Sequence, residues 1–208
     1  MHQEAITSRA GELLSALAKF SGIKDFYLVG GTALALQIGH RISVDLDWFA
    51  QKPLPKNLLS SLKKLFPGRK ILVDVLKTEE LTVRIDGVQI TFLHYPFPWV
   101  DKPVKGSGFK LASVRQIAVM KAQTINRRAA FKDYVDLYFI VRDHGVTLQE
   151  IIRAGSNAFK EEFNSRLFLE QLVYMEDIAE TGVDFLGEKA GKKQIQKFFE
   201  NAVKSLKF

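Results

Sequence analysis

Between Tyr27 and Phe49 the chain reads YLVGGTALALQIGHRISVDLDWF, and two features of that stretch could do chemistry. Asp45 and Asp47 stand one residue apart inside an apolar run of Val44, Leu46, Trp48 and Phe49. Successive strand side chains point to opposite faces, so the two carboxylates are expected on one face, about 6–7 Å apart by the usual rise, with Val44, Leu46 and Trp48 on the other. Neighbouring carboxylates repel and are costly to desolvate unless something positive compensates them. A divalent cation does so, and Mg²⁺ favours one or two carboxylates together with substrate phosphates. Just upstream, Gly30, Gly31 and Thr32 leave a strand for a helix. Glycines let the backbone approach a phosphate closely while the N–H groups of a helix start point at it. For an isolated D-x-D a solvated edge strand is the better reading, and for a lone Gly-Gly a turn; their occurrence together is far more specific.

A second set of residues lies further along. On the helix expected from Ser113, the apolar stripe Val114, Ile117, Ala118 and Ile125 includes Lys121 at a position where an apolar residue belongs. An inward lysine needs an anionic partner or ligand, unless its stem carries the ammonium out to the surface. The next helix, FKDYVDLYFIV, is apolar nearly all round except for Lys132, Asp133 and Asp136. The two aspartates are three apart and share a face. Lys121, Arg127 or Arg128 could neutralise them, and a purely structural ion-pair network competes with a functional role.

The elements that must position these residues follow from hydrophobic periodicity. Helix is expected over Glu4 to Phe20, Thr32 to Ile38 and Pro55 to Phe66; strand over FYLV, ISVDLDWFA and RKILVDVLK. LTVRIDGVQITFLHY reads as a hairpin turning at Asp86-Gly87, and PFPWVDKPVKGSGF as a loop. From Leu111 the pattern is helical throughout, with breaks near Arg128, His144, Asn164 and Gly182. The expected layout is an α/β domain over residues 1–108 and a helical domain over 109–208 packed on it.

With 208 residues, 47% hydrophobic and 25% charged, the composition is that of a folded soluble chain. No apolar run reaches the length of a membrane span and the N-terminus lacks a secretory layout, so a cytoplasmic protein with no membrane partner is expected. The absence of cysteine excludes disulfides and thiolate metal sites, and with four scattered histidines any metal would be oxygen-ligated, Mg²⁺ or Mn²⁺. A net charge of +7 favours a polyanionic partner such as a nucleotide or nucleic acid. The lysines near the end, Lys189, Lys192, Lys193, Lys197, Lys204 and Lys207, read first as a solvated helix face and second as a nucleic-acid contact.

GGTALALQIGHRISVDLDWF, with its G-G turn and H-R-x-S-x-D-x-D, resembles the opening signature of the AbiEii (abortive-infection) nucleotidyltransferase toxin family, within the DNA polymerase beta-like superfamily. LASVRQIAVMKAQTINRRAAFKDYVDLYFI resembles that family's second half, through a lysine after an apolar helical run, an arginine soon after and D-x-x-D. The resemblance spans about residues 25–142. It implies an α/β (α+β) nucleotidyltransferase fold, a mixed sheet with flanking helices followed by a C-terminal helical bundle. It also implies transfer of a nucleotide from a nucleoside triphosphate to an RNA acceptor such as a tRNA 3′ end, in a toxin–antitoxin system with a possible antitoxin protein. On the matching positions, Asp45 and Asp47 are implied metal ligands, and Gly30, Gly31, Thr32, Arg41, Ser43, Lys121 and Arg127 nucleotide-binding residues. Lys121, Asp133 and Asp136 join the two strand aspartates as catalytic residues. The superfamily usually carries a third carboxylate on a later strand, where this chain has Thr91; Asp74 has the required apolar flanks but comes one strand early. A protein that keeps the fold and binds nucleotide or RNA without transferring anything is the alternative.

Overall fold

The computed structural model describes residues 1–206. The chain divides into two units: residues 1–98 with 102–112, and Trp99–Asp101 with the chain from Ser113 onward. The division thus falls at Ala112/Ser113, where the sequence suggests 108/109.

The first unit is built on one mixed sheet of seven strands in the order β3-β4-β5-β2-β1-β7-β6. These are β1 (Tyr27–Val29), β2 (Leu46–Ala50), β3 (Ile71–Leu76), β4 (Glu80–Ile85), β5 (Val88–His94), β6 (Val104–Lys105) and β7 (Lys110–Leu111). β2 runs antiparallel to β1 and parallel to β5. The β4–β5 hairpin turns at Asp86-Gly87, both residues with positive φ, the combination that suits a two-residue hairpin loop. That turn fixes the register, with Ile85 opposite Val88 and Thr82 opposite Thr91. On one face of the sheet Leu46, Trp48, Leu81, Val83, Ile90 and Phe92 are buried. Helices α1 (Ser8–Ala18), α2 (Gly30–Ile38) and α3 (Leu58–Leu65) contribute Leu13, Leu17, Leu34, Leu36 and Leu62 to the core. Each such buried side chain contributes about 1.5–3 kcal/mol.

Three expectations change. Helix does not begin at Glu4: Gln3–Ala5 form a single 3-10 turn, and α1 starts at Ser8, where Thr7 caps it by accepting from the Ala10 N–H. The stretch read as a loop after Tyr95 contains β6, and β7 follows it directly, taking Leu111 from the expected helical part; their two-residue pairings come from the neighbouring strands rather than from their own sequence. Val44 is 49% exposed and does not share the buried face of Leu46 and Trp48. Ser43 is drawn inward instead, its N–H donating to the Ala5 carbonyl, so the alternation shifts phase before Leu46.

The second unit is helical: α4 (Val114–Arg127), α5 (Phe131–Asp143), α6 (Leu148–Phe159), α7 (Ser165–Val173) and α8 (Lys192–Lys204). Ser113 caps α4, accepting from the Gln116 N–H while its hydroxyl donates to Asp101. The Gln116 side chain in turn accepts from the Val100 N–H, which fastens the Trp99–Asp101 segment to this unit. Helix is interrupted from Tyr174 to Gly191, a longer irregular stretch than a single break at Gly182. Within it the carbonyls of Glu176 and Ile178 accept from Lys192, which is therefore a structural residue, whereas Lys189, Lys193, Lys197 and Lys204 are exposed. Lys207 lies outside the described residues.

Candidate active site

Gly30 and Gly31 open α2 directly after β1, and each faces a polar side chain. Gly30 has φ +68°, and a Cβ there would lie 2.7 Å from Asp47 Oδ2. A Cβ on Gly31 would lie 2.2 Å from the Arg41 guanidinium and 3.3 Å from Ser43 Oγ. Only a residue without a side chain lets a carboxylate and a guanidinium come this close to a helix start. Val29, at the N-cap of α2, makes no side-chain capping hydrogen bond.

Thr32 is 1% exposed, and its hydroxyl contacts Ser43 Oγ at 2.8 Å and the Asp45 carbonyl. It therefore ties the 43–45 segment to the helix instead of presenting its oxygen outward. Arg41 is 4% exposed and donates to the Ile42 carbonyl at 3.1 Å. Asp45 and Asp47 are half-buried, Asp45 just before β2 and Asp47 within it. Gly30, Gly31, Thr32, Arg41, Ser43, Asp45 and Asp47 thus form one locality in the first unit, with the Arg41 guanidinium and the Asp47 carboxylate against a glycine-lined backbone and Asp45 held there through its carbonyl.

The row beside Asp47 continues across the sheet. Asp47 is opposite Thr91 on β5, and Thr91 is opposite Thr82 on β4. Thr82 is 5% exposed and donates to Glu80 Oε1 at 2.9 Å, with Thr91 Oγ1 at 3.5 Å. Asp74 sits at an irregularity of β3, the outermost strand, and is paired with Arg84 at 2.6 Å. Two strands, β4 and β5, separate it in sheet order from the strand of Asp47, so it does not stand in for the carboxylate missing at Thr91.

In the second unit Lys121 does not reach the surface. It is 7% exposed, and its ammonium lies 2.6 Å from Asp133 and 2.5 Å from Asp136. Asp133 Oδ2 is buried and makes no hydrogen bond. One cation thus faces two carboxylates, and a buried set of that kind is stable only while its members stay together. Tyr134, next along α5, donates to the Gln171 carbonyl at 3.0 Å. Burial first, and the Asp133 charge second, push its phenol up to about 12. Arg127 stands apart from this cluster, exposed and paired with Glu162.

No group of three or more metal-binding side chains occurs among the described residues. The donor set of the first unit is that of two carboxylates open to solvent, which suits a cation completed by phosphate oxygens and water. Sequence reasoning does not single out Glu80 or Thr82. The signal was present: counting back from the Asp86-Gly87 turn places Thr82 opposite Thr91.

A protein of Aquifex aeolicus (strain VF5), uncharacterized, is 29% identical over 195 residues, 93% of each chain. Among solved structures, JHP933 from Helicobacter pylori superposes with a TM-score of 0.54 at 17% identity, covering 99% of this chain and 97% of that one. MenT4, a nucleotidyltransferase toxin from Mycobacterium tuberculosis H37Rv, gives 0.54 at 15% identity over 94% of this chain and 83% of its own. These structures share the fold, α/β with a mixed sheet and flanking helices. No described helix is long and apolar enough to cross a membrane. Residues 12–206 match the family described as nucleotidyl transferase AbiEii toxin of a type IV toxin–antitoxin system, and the chain belongs to that family.

Proposed function

We propose that this protein transfers a nucleotide from a nucleoside triphosphate to an acceptor hydroxyl, on RNA such as a tRNA 3′ end, as the toxin of a toxin–antitoxin pair in the cytoplasm. The observation that carries this reading is the close approach of Gly30 to Asp47 and of Gly31 to Arg41 and Ser43. It is a cradle in which phosphate oxygens meet backbone N–H groups and a guanidinium on one side and two carboxylates on the other.

Asp45 and Asp47 would hold Mg²⁺ or Mn²⁺, which supplies charge neutralisation on the triphosphate and orients the leaving pyrophosphate. Arg41 meets the phosphates with a planar cation that is already in place, so little ordering is left for the moment of reaction. Ser43 and Thr32 hold the 43–45 segment, and with it the first aspartate, against α2. The acceptor oxygen attacks the α-phosphorus in line as the bond to pyrophosphate breaks. Lys121, with Asp133 and Asp136, is assigned to nucleotide phosphates and the acceptor by the family resemblance; Arg127 is assigned to nucleotide on the same ground. The net charge of +7 and the exposed Lys193, Lys197 and Lys204 suit an RNA partner. The family's description supports a partner antitoxin.

The test is transfer of label from each α-³²P nucleoside triphosphate to total cellular RNA with Mg²⁺ or Mn²⁺. Label with the wild type and none with Asp45→Asn/Asp47→Asn is the expected result. Absence of label with every nucleotide, alongside metal-dependent nucleotide binding, would leave the non-catalytic binding protein as the surviving reading.

A further inference from the structure

Asp47, Thr91 and Thr82 stand in one row across β2, β5 and β4, with neighbouring strands about 4.8 Å apart. The adjoining residues Trp48, Phe92, Leu81 and Val83 are buried on the opposite face, so the three polar side chains share the face that carries the aspartates. Thr82 donates its single hydroxyl hydrogen to Glu80 Oε1 at 2.9 Å. The Thr82 and Thr91 hydroxyl oxygens are 3.5 Å apart, and with the Thr82 hydrogen on Glu80 a bond between them requires Thr91 to donate. In that arrangement the row runs from Thr91 beside Asp47, through the buried Thr82, to a carboxylate. Neither aspartate motif includes Glu80, and Thr91 is half-buried beside Asp47.

We propose that Glu80 is the base of the transfer reaction, receiving the proton of the attacking hydroxyl through Thr91 and Thr82. The proposal rests on the nucleotidyl-transfer reading above. As the acceptor oxygen bonds to the α-phosphorus, its proton passes to the Thr91 oxygen, Thr91 gives its own to Thr82, and Thr82 gives its own to Glu80. The bond from the α-phosphorus to the bridging oxygen breaks, and pyrophosphate leaves with the electron pair. Glu80 is half-buried and returns its proton to solvent between turnovers. Other charges near this row are already matched: Arg84 by Asp74, and His94 by Glu79.

Glu80→Gln, Thr82→Val, Thr91→Asp and the double variant Glu80→Gln/Thr91→Asp test this with two readouts. One is Mn²⁺-dependent binding of the four α,β-methylene nucleoside triphosphates; the other is the rate of label transfer to total RNA at saturating nucleotide. Glu80→Gln and Thr82→Val are each expected to slow transfer by about 10²- to 10⁴-fold, the usual worth of a positioned base, while analogue binding stays within about twofold. The double variant, which places a carboxylate directly beside Asp47, is expected to recover about tenfold or more over Glu80→Gln. Transfer by Glu80→Gln at the wild-type rate overturns the proposal and leaves the transferase reading intact. So does a Thr82→Val variant that binds analogue and transfers normally, since the path would then be unused. A wild type that neither binds the analogues nor transfers label overturns both.

Discussion

Two acidic sites in this chain solve the same electrostatic problem differently. In the first unit Asp45 and Asp47 are half-buried beside a glycine-lined helix start, with a buried arginine across from them. In the second, Asp133 and Asp136 are almost wholly buried and share the one ammonium of Lys121. The first pair is only partly desolvated. The second carries its counter-charge inside the fold, and the unpartnered Asp133 Oδ2 is what remains of its imbalance. On the proposed function the first would matter chiefly for chemistry, while the second would matter for folding as well.

The largest effect that would sharpen this contrast is on activity. Asp45→Asn/Asp47→Asn should lower transfer by about a thousandfold or more, the worth of several kcal/mol of charge stabilisation, while thermal unfolding changes little. A melting temperature that collapses with this variant would break the comparison. Next comes Lys121→Met, which strands two buried carboxylates and should cost about 3–5 kcal/mol in denaturant unfolding. Adding Asp133→Leu and Asp136→Leu to it should restore much of that loss without restoring transfer, which separates the stability role from the chemical one. Gly30→Ala comes third: a left-handed non-glycine residue costs about 1–2 kcal/mol, and the new methyl displaces Asp47, so nucleotide binding measured by calorimetry should fall well beyond what unfolding records. The smallest is Ser113→Ala, which removes the cap of the helix bearing Lys121 and should cost about 1 kcal/mol while analogue binding by Asp45 and Asp47 is unchanged.

Much of this was legible from residue order alone. The Gly-Gly turn, the D-x-D pair and the hairpin at Asp86-Gly87 are short-range patterns whose geometry follows from two to four residues. Lys121 showed itself by standing in an apolar stripe, and it is buried as that position requires. What escaped depends on partners remote in sequence. Val44 is turned out because Ser43 bonds to Ala5, thirty-eight positions earlier in the chain. β7 exists because β1 pairs with it, and Thr82 reaches Glu80 and Thr91 only once the hairpin register is counted out. The irregular stretch after α7 is held by Lys192, whose ammonium binds two carbonyls that no periodicity marks.

β3, the outermost strand, exposes Leu72, Val73 and Leu76 along an edge whose backbone groups have a strand on one side only. An edge of that composition is a template for adding further strands, so this protein's colloidal behaviour rests on a few features. The irregularity at Asp74 interrupts the run, and Lys70 and Lys77 bracket it with like charge. Light scattering should accordingly rise with ionic strength, as salt screens the two lysines, and Lys77→Leu should bring that onset to lower protein concentration.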